Sequence, residues 1–422
     1  MNKTKDVLIT GFALFSMFFG AGNLILPPLL GKNAGDYWFL VTVGFFITAV
    51  FIPILGILAH AKLQGTMYDF GKKVSPIFSI AYCFIVYLIS ITLPAPRTAS
   101  VTHEMAIAPY FDLSSLFTST IYFVLVFLFV INRTKVLNLL GKLLTPLIIL
   151  ILLAIILVGI FIAPNTMEPS IFKTPVIDGL LEGYQTFDAI GAVVVGGVLV
   201  ISMNFNKNAS FEEKKLLITK AGFIAGLGLL IIYAGLIFNG ALFNASFPEK
   251  ATRAEILSSL STQTLGTIGT TFLSVLVALA CFTTAVGIIT GTADYFKGYF
   301  NNSQKAYLIT AIISCILGVV IGQFDVHYII NIALPALMFI YPITIILILL
   351  NILPNKLASD LVFKIVVLVT FVFSIPDFLQ FVVDKDKLTG IINLIPLAKY
   401  HLGWVLPAVL SFGFVNLLKA KN

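Results

Sequence analysis

Residues 7–30 read VLITGFALFSMFFGAGNLILPPLL, a stretch without a single charged residue. A bilayer core of about 30 Å needs about 20 mostly apolar residues per helix, so the segment is long enough to span one. It is also interrupted. Phe12 to Phe19 favours helix, Gly20-Ala21-Gly22 is a weak helix former, and Asn23 suits the cap of a second short helix ending at Pro27-Pro28. Unwound backbone at membrane depth survives only where it is packed in protein or lines a cavity, and discontinuous helices of this kind hold ligands in carriers. The freed amides of Ala21, Gly22 and Asn23 would face an anion, and carbonyls at the end of the first half a cation. Read alone, Gly20 and Gly22 fit a close-packed helix interface equally well.

The surrounding chain has the same character. Of 422 residues, 59% are hydrophobic and 11% charged, where a water-soluble domain carries about 25% charge. Twelve apolar segments are long enough to span, near residues 7–30, 37–59, 77–97, 116–132, 146–163, 180–203, 216–239, 267–291, 306–323, 328–350, 361–380 and 401–418. They are too continuous for the alternating strands of a membrane barrel, so the expectation is an all-α protein. The first segment is kept as a span and not a cleaved leader, because it exceeds the usual apolar core of a signal peptide and Pro27-Pro28-Leu29-Leu30 offers no small-residue cleavage site.

With the N-terminus inside, 18 of the 26 Lys and Arg residues fall on the cytoplasmic side, which follows the positive-inside rule and puts both termini in the cytoplasm. The net charge of +7 is spread over every inner loop. That distribution suits anionic membrane lipid and not nucleic acid. Cys83, Cys281 and Cys315 lie in apolar runs, and the four histidines are scattered, so neither a disulfide framework nor a clustered metal site is indicated. No loop is long enough for a soluble domain, which leaves a carrier, a channel or an intramembrane enzyme.

The sixth segment holds a second break, Gly183-Tyr184-Gln185-Thr186-Phe187-Asp188-Ala189-Ile190-Gly191, with a carboxylate inside an uncharged span. An intramembrane acid marks a ligand or ion pathway by default. The structural alternative is that Asp188 caps a half-helix or pairs with a buried cation such as Arg97. Breaks in spans one and six of ten are what an inverted five-plus-five repeat requires, with substrate between them near the midplane. The repeats would be 1–163 and 164–350, followed by two accessory helices in 351–422. In the eighth span, Ala280-Cys281-Phe282-Thr283-Thr284 offers two hydroxyls and a carbonyl to a sodium ion. Threonines in membrane helices also commonly bond back to their own helix.

These residues resemble a known family, the branched-chain amino acid carriers of bacteria, which are leucine/isoleucine/valine:cation symporters of the amino acid-polyamine-organocation superfamily. The resemblance rests on Phe18-Phe19-Gly20-Ala21-Gly22-Asn23-Leu24 with Pro27-Pro28, on Pro94-Ala95-Pro96-Arg97-Thr98-Ala99, on Gly183-Tyr184 with Thr186-Phe187-Asp188-Ala189, and on Ala280 to Ala285. It implies twelve transmembrane helices on the leucine-transporter fold, in a bacterial cell membrane. By the same resemblance the carbonyls of Ser16, Phe19 and Ala280 and the hydroxyls of Thr283 and Thr284 would hold sodium. Gly20 and Asn23 would frame the site, the amides of Ala21 and Gly22 would hold a substrate carboxylate, and the backbone carbonyls of Phe18 and Phe187, with Thr186 or Asp188, would receive the ammonium group. The Pro-Arg-Thr-Ala segment has no counterpart in the wider superfamily.

The expected activity is therefore uptake of leucine, isoleucine and valine, with sodium as coupling ion and no other cofactor. Proton coupling is the rival within the carrier class. The fifth span has no Lys, Asp, Glu or His to replace sodium, although Asp188 can titrate. An intramembrane enzyme would need a nucleophile with its base, an aspartate pair or a metal set, and no span carries one of their motifs. Arg97 and Glu104, near the outer end of the third span, fit either a gate of the external vestibule or an interfacial salt bridge with no function, and Asp377 and His327 fit interfacial caps.

Overall fold

The computed structural model describes residues 3–132, 136–164, 167–194, 196 and 210–421. The sixth segment beyond residue 194, and the basic positions 133, 135 and 207 expected on the cytoplasmic side, lie outside them apart from residue 196. Span one is α1 (Lys3–Phe18) and α2 (Ala21–Ala34). Span two is α3 (Trp38–Phe46), a π turn at Ile47–Phe51 and α4 (Ile52–Leu63), followed by the short α5 (Met67–Gly71). Span three is α6 (Pro76–Thr92) and α7 (Pro94–Thr102), and spans four and five are α8 (Ser115–Asn132) and α9 (Val136–Ile162). Span six is broken into α10 (Pro175–Tyr184) and α11 (188–194). Spans seven to ten are α12 (Phe211–Leu242), α13 (Arg253–Tyr299), α14 (Gln304–Gly322) and α15 (Val326–Ile352). Then come α16 (Asp360–Leu379), the amphipathic α17 (Lys385–Leu394) and α18 (Val405–Lys421).

Nine helices among the described residues are long and apolar enough to cross a membrane. The remaining spans are the short first half of span one, the broken sixth and the 17-residue α18. Their ends are set by local chemistry. Ser75, Ser210, Thr252, Ser303, Asp325 and Ser359 each accept a bond from an amide in the first turn of the helix they precede, which satisfies donors that a helix start leaves open. Helix α13 starts at Arg253, well before the expected 267, because Thr252 and Glu255 form a capping box there. Its first part is set off by Gly266, whose φ of 70° only glycine adopts without strain.

Two corrections concern span one. Asn23 does not cap α2; the helix starts at Ala21 with Gly20 as its extended N-cap residue. Nor does it stop at Pro27-Pro28, but runs through both prolines to Ala34. Proline removes an amide donor, so the carbonyls one turn earlier lose their intrahelical partner while the helix is held by its packing against α12.

That packing is close. A Cβ added at Gly31 would lie 1.9 Å from the Ile237 carbonyl oxygen, so α2 rests backbone to backbone on α12. Small residues permit such crossings between membrane helices. In the same way α10 lies on α3, where a Cβ at Gly179 would meet the Val41 carbonyl at 2.2 Å. One half-helix of each broken span, α2 and α10, is thus fixed by contacts that tolerate no side chain. Gly31→Ala is expected to cost about 1–3 kcal/mol by overpacking, read as a lowered melting temperature in detergent. Gly413→Ala on α18, where an added Cβ meets nothing within 4 Å, should leave it unchanged; equal melting of the two variants would remove this crossing from the account.

Candidate functional site

In span one the helix ends at Phe18, and the Gly20 amide turns back to the Phe18 carbonyl at 2.9 Å. The Asn23 amide bonds the Gly20 carbonyl at 3.1 Å. Ala21 and Gly22 supply the first amides of α2, which a helix start leaves without an intrahelical acceptor. In span six the chain unwinds over Gln185, Thr186 and Phe187. Phe187 is held at a φ of 62°, a left-handed conformation that costs a side-chain-bearing residue about 1–2 kcal/mol. Local bonds hold it there. The Phe187 amide bonds the Tyr184 carbonyl at 3.1 Å, its own carbonyl starts α11 by accepting from the Gly191 amide at 2.7 Å, and Thr186 Oγ1 accepts from the Asp188 amide while donating to the Gly183 carbonyl.

The two breaks meet. Asn23 Nδ2 lies 2.9 Å from each oxygen of the Asp188 carboxylate and 3.0 Å from the Phe18 carbonyl, and it also donates to the Tyr233 hydroxyl. Tyr233, in the middle of α12, donates to Asp188 Oδ2 at 3.0 Å. All three side chains are buried. Unpaired, this carboxylate would cost several kcal/mol at membrane depth; with two donors on it, the burial is offset by charge-assisted bonds. Asp188 thus starts a half-helix, as one structural reading had it, but its partners are Asn23 and Tyr233 and not Arg97.

Span eight reaches the same place. A Cβ at Gly20 would lie 3.6 Å from Thr284 Cγ2 and 3.8 Å from Thr284 Oγ1, so the hydroxyl pair borders the first break. Thr283 and Thr284 each donate to the Ala280 carbonyl at 2.9 Å. That is the back-bonded state of membrane threonines, and it leaves both hydroxyl oxygens able to accept or to ligate. Ser16 Oγ accepts from Thr145 of α9 at 2.8 Å. Phe19 and Ala280 are buried among apolar neighbours, with the Phe19 ring stacked on Phe15 and Tyr233. Among the described residues no group of three acidic, His or Cys side chains is arranged for a metal.

Between these elements is a cavity of about 940 Å³. Ser16, Phe18, Gly20, Asn23, Thr186, Phe187, Asp188, Thr283 and Thr284 all line it, together with Thr145 and Arg97. It extends past Phe12 and Ile9 of α1, Val194 of α11 and Gly291 and Asp294 of α13, toward the end of the molecule that holds the N-terminus. The opposite end is closed. There Arg253 Nη2 pairs with Glu182 Oε1 at 3.0 Å, and Arg253 Nη1 meets His327, itself bonded to Asn331.

Arg97 does not pair with Glu104. It is 3% exposed, donates from Nη1 to the Gln185 carbonyl at 2.8 Å and covers the Phe187 ring at 5.1 Å. Glu104 instead accepts from the Val326 amide at 2.8 Å, fixing the start of α15. Asp377 is no interfacial cap either, because it is fully buried on α16. Tyr233, Thr145 and the Arg253–Glu182 pair carry no motif in the sequence. A lone tyrosine hydroxyl in the middle of span seven was the only signal for the first.

The sequence profile of the family described as "Branched-chain amino acid transport protein" matches residues 3–422. The branched-chain amino acid permease BraB of Bacillus subtilis is 33% identical, over 96% of this chain and 94% of its own. The branched-chain amino acid transport system 2 carrier protein of Pseudomonas aeruginosa is 30% identical, over 97% and 95%. Among solved structures, the inward-facing conformation of Mhp1 superposes with a TM-score of 0.62 at 12% identity, covering 98% of this chain and 91% of that one. The shared fold is the leucine-transporter type, with first and sixth helices broken.

The clamp on Asp188 can be tested directly. Tyr233→Phe leaves the ring stacking in place and removes one donor from a buried carboxylate, a loss of about 1–3 kcal/mol. Melting in detergent should fall accordingly, while Tyr328→Phe at an exposed position should change nothing. Identical melting of both variants would count against the clamp.

Proposed function

The chain belongs to the branched-chain amino acid transport protein family, and we propose that it imports leucine, isoleucine and valine across the bacterial cell membrane by sodium symport with alternating access. One observation carries this reading: a single cavity is lined at once by both helix breaks, by an apolar wall and by the hydroxyls of span eight. An aliphatic amino acid needs these parts together. Its side chain fits the apolar wall, its charged ends need fixed partners, and a coupling ion must bind close enough to stabilise the same backbone.

In this reading sodium takes Thr283 and Thr284 with the carbonyls of Ser16, Phe19 and Ala280, and Thr145 supports the site by its bond to Ser16. Gly20 keeps this corner open, since its missing side chain faces Thr284. Sodium bound here would order the first break and so the amides of Ala21 and Gly22, which raises affinity for substrate. Linkage then requires substrate to raise sodium affinity by the same factor. The ammonium group falls near Asp188 and Thr186. Because the cavity extends toward the N-terminal end, which the distribution of basic residues assigns to the cytoplasm, the conformation described is inward-facing. A proton-coupled cycle is the second reading, and the observation that favours it is the Asp188 carboxylate in the cavity wall.

Purified protein in proteoliposomes separates the two. Labelled leucine should accumulate under an inward sodium gradient and not with choline at equal osmolarity; uptake driven by a pH gradient alone, indifferent to sodium, would overturn sodium coupling. Unlabelled isoleucine and valine should compete, and lysine and glutamate should not. Thr284→Ala should shift the sodium activation curve to higher concentration by roughly 10-fold, the loss of one ion-bound oxygen, before it alters the ranking among leucine, isoleucine and valine. An unchanged activation curve would remove Thr284 from the ion site.

A further inference from the structure

Arg97 lines the cavity, and the scheme above gives it no task. It belongs to the Pro-Arg-Thr-Ala segment, and its surroundings are unusual for a guanidinium at membrane depth. The side chain is 3% exposed, and no carboxylate of the described residues lies within ion-pair distance of it. Its bond to protein runs from Nη1 to the Gln185 carbonyl, and Nε is sealed without a partner. The two N–H groups of Nη2 have no protein acceptor among the described residues, and Arg97 lines the cavity.

Two local contacts fix the group. The Gln185 carbonyl belongs to the unwound segment that ends α10, where a cation is favoured by the helix dipole. The Phe187 ring lies beneath the guanidinium plane and adds a cation–π contact. A guanidinium held this way is oriented in advance and lacks only an anion. Among the described residues no carboxylate compensates its charge at contact distance, while Asp188, on the same cavity, is bonded by Asn23 and Tyr233.

We infer that Arg97 binds the substrate carboxylate through Nη2, so that the zwitterion lies along the second break with its carboxylate at Arg97 and its ammonium group toward Asp188. The inference rests on the proposed amino-acid transport and goes beyond it: it moves the principal carboxylate contact from the Ala21 and Gly22 amides to the guanidinium. Selectivity for a free α-carboxylate then comes from a residue of span three. The Gln185 and Phe187 contacts make its geometry depend on the conformation of span six, so carboxylate binding and the state of that break are linked.

The test compares leucine with leucinamide, which keeps the side chain and ammonium group and lacks the anionic carboxylate. Binding to purified, sodium-loaded protein should favour leucine by roughly 10- to 100-fold, the range for a charge-assisted bond. In Arg97→Gln that preference should fall to within about 3-fold, and Arg97→Lys should restore part of it, because a point charge lacks the planar fork. A full preference retained in Arg97→Gln would overturn the inference and return the carboxylate to the helix amides. Wild-type protein that binds no leucine would instead refute the proposed transport activity. A measurement on unmutated protein covers variants that do not fold: phenylglyoxal modification of Arg97, followed by mass spectrometry, should be blocked by leucine and not by leucinamide. Equal protection by both would also overturn it.

Discussion

The carboxylate of Asp188, held by Asn23 and Tyr233, is the contact on which the site depends. A charge at this depth is costly unless every oxygen is engaged, and its donors come from two other spans, so α2, α11 and α12 must keep a fixed relation. Asn23 also touches the Phe18 carbonyl, which ties the end of α1 into the same network. A shift at the first break is therefore felt at the second without any intervening chain. The glycine crossing of α2 on α12 serves the same end, because it brings Asn23 within reach of Tyr233.

Around this fixed centre the two ends of the cavity differ in kind. The cavity extends at the end that holds the N-terminus between α1, α6, α11 and the last turns of α13, where much of the lining is apolar. The other end is tied by directional contacts: Arg253 with Glu182, Arg253 with His327, and Glu104 with the Val326 amide. Alternating access needs such an asymmetry, because the bonds that close one side must be exchanged for bonds on the other at little net cost. The Gly266 kink, the only non-helical φ inside α13, separates the helical segment that carries Arg253 from the segment that carries Thr283 and Thr284. The Arg253 contacts and the hydroxyls of the proposed ion site thus lie on one element on opposite sides of a joint.

Much of this was legible in the sequence because the signals are local. Bilayer thickness imposes its own length on each span, and a Gly-Ala-Gly run or an aspartate inside an apolar segment marks a break without reference to the rest of the chain. Local reasoning failed where a partner decides. Asn23 reads as a helix cap and in fact reaches Asp188, 165 residues away. Arg97 sits near the end of an apolar run, where the sequence reads equally as an interfacial residue or a buried cation; the π turn at His103–Ile107 carries span three beyond it and leaves it buried. Tyr233 and Thr145 carry no motif, since one hydroxyl in a span is ordinary until its neighbour is known. Thr283 and Thr284 stand in the back-bonded state that the sequence offers as the alternative to ion binding, a state in which a donated proton still leaves each hydroxyl oxygen free to accept.

The central claim is that the two helix breaks form one site through the Asn23–Asp188 contact. A double-mutant cycle with Asn23→Ala and Asp188→Asn, read as leucine-binding free energy at saturating sodium, tests it most directly. The account predicts that the paired change costs less than the sum of the single changes by about 1–3 kcal/mol, as for residues in one bonded network. Additivity within about 0.5 kcal/mol, the behaviour of independent positions, would contradict it.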